Sequence, residues 1–306
     1  MAVIVGAIYN IASYRNVLSD ICKANGLDCK LMFGYFMIPH DLFIGSTKDI
    51  LTYNIKSRVY YIVVEGYIPK FAAYTLKNMC NKGYCVTITK WGKSILEQYG
   101  ANIADVVYHG LPIGNIPEPS LDRKYDVIYL NSSYKLLRNW KHVDRKGWQF
   151  WPEAHKAFPN SKGYTNAKLS LPGVEVYDKK TIDEIYSILN SGRVFANLSM
   201  SEGFGLNPLM ALAVGTNVVF WNFPVFRELY EGVQGVYFVP SNTQFYCNFP
   251  DNVLYNIVCS HGDIHEYIDV VRYALSGWTM ADYQTIRQKF DPYKVYKPFG
   301  EYIMRR

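Results

Sequence analysis

One stretch of the chain gathers the residue types that would handle a ligand carrying both phosphate and hydroxyl groups. It reads SMSEGFGLNPLMALAVGTNVVF, from Ser199 to Phe220. Gly203 and Gly205 let a backbone come close to a ligand and tolerate positive φ. Asn207 is a favoured N-cap, and Pro208 suits a first helical position. Leu206, Leu209, Met210 and Ala213 then follow at helical spacing, and Gly215 stands where a helix stop belongs. A helix start behind a glycine loop offers N–H groups to an anion. Glu202, just before the loop, cannot bind phosphate but can accept hydrogen bonds from sugar hydroxyls. A nucleotide sugar would satisfy both halves. The plainer alternative is a βαβ corner whose glycines serve turn geometry only.

Such a loop needs strands and helices to hold it. The apolar runs Val3–Ile8, Tyr35–Ile38, Val59–Val64, Cys85–Thr89 and Val106–Tyr108 read as strands of a first half. Helical patterns Tyr14–Asn25, Phe71–Asn81 and Trp91–Tyr99 alternate with them. Leu111 to Asp126, with three prolines and one glycine, reads as an interdomain linker. The alternation then restarts with strands at Val127–Leu130, Val174–Tyr177, Val194–Leu198, Asn217–Trp221 and Val236–Val239. Helices are expected at Ile182–Asn190 and Pro208–Val214, and mostly helix from Asn252 onwards. Thr181 and Glu184, three apart, predict a capping box on the first of these. Alternating β and α segments predict parallel sheets covered by helices, here in two series. Ligands of such sheets bind at the carboxyl ends of the strands.

The 306-residue composition agrees with a folded enzyme-sized chain. Hydrophobic residues make up 49% and charged ones 19%, which excludes general disorder. No apolar window approaches the roughly 20 residues of a membrane helix, and the amino terminus reads as a buried strand rather than a signal peptide. The formal charge is +6, and a basic run lies between Arg123 and Lys146. That run reads either as a solvated face or as a contact for phosphate, nucleic acid or an anionic membrane. The six scattered cysteines show no metal-ligand spacing, so reduced thiols in a cytoplasmic protein are expected.

The stretch EGFGLxPLxAxAxGTxVV resembles the signature of retaining glycosyltransferases of the GT-B fold, above all glycosyltransferase family 4. Glu202, Gly203, Phe204, Gly205, Leu206, Ala211, Ala213, Gly215, Thr216, Val218 and Val219 match it in order. RKGW (Arg145 to Trp148) with AHKAFP resembles the segment whose basic residue neutralises the donor diphosphate, with Lys146 the first choice and Arg145 the second. VVYHGLP, TITKWGKSILEQYG and EGYIPKF are similar to segments of the first domain, so the likeness covers most of residues 59–240. Two positions depart from the pattern. Met210 stands where the family has a second glutamate for the ribose hydroxyls, and Asn131, Ser132 and Ser133 replace the usual glycine and arginine after a strand.

The resemblance implies an α/β chain of GT-B architecture, two doubly wound Rossmann-like domains facing a central cleft. Residues 1–115 would be the acceptor domain, completed by a final helix within 283–306, and residues 116–282 the nucleotide-sugar donor domain. It implies transfer of a sugar from a nucleotide-diphosphate sugar to an acceptor hydroxyl with retention, without metal or resident cofactor. Glu202, Lys146 and Arg145 would be catalytic, and Ser132, Ser133, Gly203, Phe204, Gly205, Leu206, Asn207 and Met210 would line the donor. Asn10, Ser13, Tyr14, His40 and His109 are the acceptor-side candidates. The acceptor is a glycan, lipid, protein or nucleic acid, and peripheral membrane contact stays open. Met210 keeps a rival reading in play, a sugar-nucleotide binding protein without catalysis.

Overall fold

The computed structural model describes residues 2–8, 12–34, 38–53, 55–64, 73–133, 135–138, 141–249 and 252–304. The chain divides into two compact units, residues 1–113 with 289–306, and residues 114–288.

The first unit is built from alternating elements: β1 (Val3–Ala7), α1 (Ala12–Ala24), β2 (Cys29–Phe33), β3 (His40–Ser46), α2 (Thr47–Tyr53), β4 (Ser57–Val63), α3 (Ala73–Lys82), β5 (Tyr84–Thr87), α4 (Lys90–Gln98) and β6 (Asp105–Val106). Among the described residues these strands form one parallel sheet in the order β2-β1-β3-β4-β5-β6. The runs Val59–Val64 and Leu42–Ile44 are buried on both faces, as parallel strands under helices require. α4 starts where Thr89 accepts a hydrogen bond from Gly92 N at 2.9 Å. The expected strand Tyr35–Ile38 lies, except for Ile38, outside the described residues, and Ile38 itself is not in a strand. The strand of this region is instead β3, whose DLFIG run is short enough to escape a periodicity reading.

The second unit has β7 (Tyr125–Leu130), β8 (Lys135–Arg138), β9 (Lys141–Asp144), α5 (Trp151–Ala157), β10 (Ser161–Thr165), β11 (Val174–Val176), α6 (Ile182–Leu189), β12 (Gly192–Asn197), α7 (Leu206–Ala213), β13 (Asn217–Trp221), α8 (Pro224–Tyr230) and β14 (Val236–Val239). Next come β15 (Thr243–Phe249), β16 (Asn252–His261), α9 (Ile264–Ser276) and α10 (Tyr283–Lys289). Its parallel sheet runs β11-β10-β7-β12-β13-β14. With the β8–β9 hairpin set aside, that is the 3-2-1-4-5-6 order of a dinucleotide-binding fold, whose order reverses between β7 and β12. α6 carries the expected capping box: Thr181 accepts from Glu184 N, and the Glu184 side chain accepts from Thr181 N. The last helices, α11 (Pro292–Val295) and α12 (Lys297–Met304), belong to the first unit. There Asn25 Nδ2 donates to Tyr296 O at 2.8 Å, and the rings of Tyr61 and Phe299 meet edge to face.

Three expectations need correction. The chain from Asn252 is not helical at first: Asn252–His261 is a strand, paired antiparallel with β15 in a sheet ordered β16-β15-β8-β9. Alternation in VLYNIVCS, with Ile257 and Cys259 buried, is the signal for it. The basic run is not one face. Arg123 is buried and ties the segment before β7 to Asn190 O and Val214 O, Lys135, Arg138 and Lys141 are exposed on the hairpin, and Arg145 and Lys146 are buried beyond it. The thiols are not all reduced, since Cys22 is bridged to Cys29 and Cys80 to Cys85, while Cys247 and Cys259 are free and buried. These partners are seven and five residues apart in sequence, and the fold of α1–β2 and α3–β5 brings their Cα atoms to 6.2 and 5.3 Å.

Candidate active site

The carboxyl ends of β7 and β12 carry the two loops singled out in the sequence. β7 ends at Leu130 and continues into Asn131, Ser132 and Ser133, while β12 ends at Asn197 and continues into Ser199–Gly205. This is the point of the second unit where strand order reverses, so the two loops diverge and leave a crevice between them.

Between them comes the turn that follows β9. Gly147 holds φ at +76°, and a Cβ there would stand 2.0 Å from Leu198 O, so only glycine lets this turn lie against the end of β12. Backbone bonds complete the seam. Met200 N donates to Arg145 O, and Ser260 N of β16 donates to Met200 O, both at 2.8 Å. The Tyr129 hydroxyl, on β7, donates to Lys146 O. Two segments far apart in sequence, β7 and the stretch after β12, thus hold the Lys146 and Arg145 carbonyls, and β16 braces the second of them.

The side chains then meet. Lys146 Nζ lies 2.5 Å from Glu202 Oε1, and each side chain is only 10% exposed. Ser199 Oγ donates to the same oxygen at 2.8 Å. Burial alone would raise the Glu202 pKa, but the Lys146 and Arg145 charges and the two hydrogen bonds outweigh it and hold the carboxyl below its ordinary value. Taking a Lys–Glu pair out of water is a weak source of stability. The pair is better understood as a preset electrostatic feature, a cation and an acceptor in a shielded place.

The glycine loop leads into α7 through Gly205, which has φ +85° and occupies the N-cap position. Asn207 is therefore not the N-cap. Its side chain is drawn to β7 instead, where Nδ2 donates to Leu130 O at 2.8 Å, and Pro208 falls within the first turn, where a missing N–H costs nothing. Phe204 is buried, and Gly203 and Gly205 flank it. Met210 is 2% exposed among the apolar residues of α7, and its thioether is at best a weak acceptor. Ser132 is exposed and Ser133 half-buried. The Ser133 hydroxyl donates to Asp144, and Ser132 O accepts from Trp148 Nε1 at 3.1 Å.

The acceptor-side candidates do not assemble in the same way. Asn10 lies outside the described residues. Ser13 is exposed and Tyr14 half-buried in the first turn of α1. His40 begins β3, at the amino end of the strand, away from the end where ligands of such sheets bind. Its ring lies over Gly6, whose added Cβ would come within 2.6 Å of it, and burial lowers its pKa. His109 is buried with Nδ1 3.1 Å from the Tyr61 hydroxyl, and burial lowers its pKa to about 3. Both histidines are core residues whose burial disfavours the charged form.

Sequence reasoning missed Asp144, Ser199, Tyr129 and the β16 contact. Asp144 and Ser199 had a usable signal, since each flanks a quoted motif. The Tyr129 and Ser260 contacts are tertiary and carry none.

No protein-family model matches the chain. Over 39 residues, 13% of this chain, it is 56% identical to ORF378 of Acidianus filamentous virus 2, which carries the name of a presumed glycosyltransferase. The chain spans 10% of the length of that curated relative. Among solved structures it is similar to Anabaena HepE, in complex with UDP and glucose, with a TM-score of 0.65, 12% identity, and coverage of 98% of this chain and 99% of that one. Staphylococcus aureus TarM follows at 0.55, with 14% identity over 86% of this chain and 55% of TarM. The sucrose-phosphate synthase of Thermosynechococcus elongatus gives 0.53, with 11% identity over 87% and 70%. The chain has the GT-B fold of these glycosyltransferases, as the signature from Glu202 onwards implied.

Proposed function

We propose that this chain is a retaining glycosyltransferase that moves a sugar from a nucleotide-diphosphate donor to an acceptor hydroxyl, without a metal ion. The observation that carries the reading is the buried Lys146–Glu202 pair beside the Gly203–Leu206 loop at the reversal of strand order in the second unit. In the reaction the bond from the sugar C1 to the phosphate oxygen breaks, and a bond from C1 to the acceptor oxygen forms on the same face. The acceptor proton passes to the departing phosphate oxygen. Negative charge grows on the diphosphate as it leaves, and fixed cations stabilise that change without reorganising. Lys146 and Arg145 supply them. An ammonium has three N–H donors, so Lys146 can serve Glu202 and a phosphate oxygen together. Glu202 takes hydrogen bonds from sugar hydroxyls, and backbone N–H groups of the first turn of α7 add donors to the phosphate side. Uridine is the first base to try, because the HepE structures hold UDP and UDP-glucose.

A second reading has one observation in its favour. Met210 buries an apolar side chain where the resembled family places a carboxylate, which suits a sugar-nucleotide binder without catalysis.

Turnover of UDP-sugars, with water or a panel of sugar and lipid acceptors, separates the two. The parent should release UDP, Lys146→Ala should lose roughly 10²- to 10³-fold, and Glu202→Ala about 10- to 100-fold. Full turnover by both variants would refute the assignment. Binding of a UDP-sugar by the parent with no release of UDP would favour the second reading.

A further inference from the structure

Asp144 is the last residue of β9, and its carboxylate makes two bonds that point in different directions along the chain. Oδ1 accepts from Lys146 N at 2.9 Å. Oδ2 accepts from the Ser133 hydroxyl, in the loop after β7. One side chain therefore fastens the serine loop to the basic turn. The Tyr129 hydroxyl, which holds Lys146 O, has its pKa raised by burial first and then by the charges of Asp144 and Glu202.

The charge arithmetic makes this position unexpected. Arg145 and Lys146 bring two positive charges, and Glu202 already offsets one. A further carboxylate next to a site for a diphosphate works against the binding of that anion by its charge. What Asp144 adds is its pair of hydrogen bonds, from Lys146 N and from the Ser133 hydroxyl. Resting on the reading of the second unit as a nucleotide-diphosphate site, we infer that Asp144 is a positioning residue. Its carboxylate sets the distance between the Ser132–Ser133 loop and the Arg145–Lys146 turn so that both reach the same diphosphate. The hairpin that ends in Asp144 joins the antiparallel sheet of β8, β9, β15 and β16, so this sheet supports the basic turn.

The sign of one measurement tests this. Removing the carboxylate, by Asp144→Ala, should tighten UDP binding if Asp144 acts only as a nearby anion. It should weaken it if Asp144 positions, because the Lys146 N–H and the Ser133 hydroxyl both lose their acceptor. Calorimetric titration of UDP into the full-length parent, Asp144→Ala, Ser133→Ala and the double variant is the experiment, with thermal unfolding of each as a control for fold. The expected result is about 5- to 10-fold weaker binding for Asp144→Ala, and a double variant no weaker than that single one, since coupled partners do not add. Binding equal to or tighter than the parent in Asp144→Ala overturns the inference while leaving the function intact. Additive losses in the double variant overturn it too. If Asp144→Ala does not fold, Ser133→Ala decides: weaker UDP binding supports the link, and unchanged binding overturns it. A parent that binds no UDP, GDP or ADP removes the functional reading itself, and this inference with it.

Discussion

At the reversal of strand order in the first unit, between β1 and β3, Ser46 and Asp49 are occupied with one another. Ser46 Oγ donates to Asp49 at 2.8 Å and accepts from Asp49 N at 3.2 Å, while Asp49 also accepts from Ser46 N. This is a reciprocal cap on α2, and it explains why these groups are buried. At the matching place in the second unit, between β7 and β12, two cations and two carboxylates are drawn together from two segments, and a glycine of positive φ lets them approach. One end satisfies its own helix. The other concentrates charge that no helix cap requires. A reversal of strand order therefore does not by itself give a site, and function has to be argued from the groups that local structure does not use.

The comparison can be broken at its backbone. Gly147→Ala places a Cβ against Leu198 O in a left-handed turn. We expect it to destabilise the second unit by about 2–4 kcal/mol, seen as a lowered midpoint in thermal unfolding. An unchanged midpoint would mean that the basic turn is not built on that glycine.

A smaller effect sharpens the other side. In the first unit His109 is kept neutral by burial, with a pKa of about 3 against an ordinary 6.5. The unfolded chain therefore binds a proton near pH 6.5 that the folded chain refuses. The stability tied to His109 is complete above that value and is lost as pH falls from about 6.5 towards 3, up to several kcal/mol. Urea unfolding at pH 7 and at pH 4.5 should show the loss in the parent and much less of it in His109→Gln. Equal pH dependence in the two would show that the histidine is not held in the core.

How much of this was legible in the sequence depends on the kind of signal. The strand and helix alternation and the α6 capping box are local patterns, and the structure has them. The Glu202–Gly205 loop was legible because glycines, a carboxylate and a helix start sit together in one run. The role of Arg123 was not, since a basic residue near other basic residues reads as surface until Asn190 O and Val214 O come to meet it. The β15–β16 sheet was missed although Cys247, Ile257 and Cys259 are buried at alternate positions, because polar residues and tyrosines interrupt its apolar runs. His40 and His109 show the converse. Their chemistry drew attention, but a histidine gives no sign in sequence of whether its ring faces a ligand or a strand.

We propose that the second unit holds a nucleoside diphosphate at the Lys146–Glu202 pair, independently of metal. Calorimetric titration of UDP, GDP and ADP and their sugar conjugates into the parent and into Lys146→Ala, with chelator present throughout, tests it most directly. Saturable binding of one base family by the parent is expected, with a loss of at least roughly tenfold in affinity on removing the ammonium. Binding of equal strength in both proteins, or none across the panel, would contradict it.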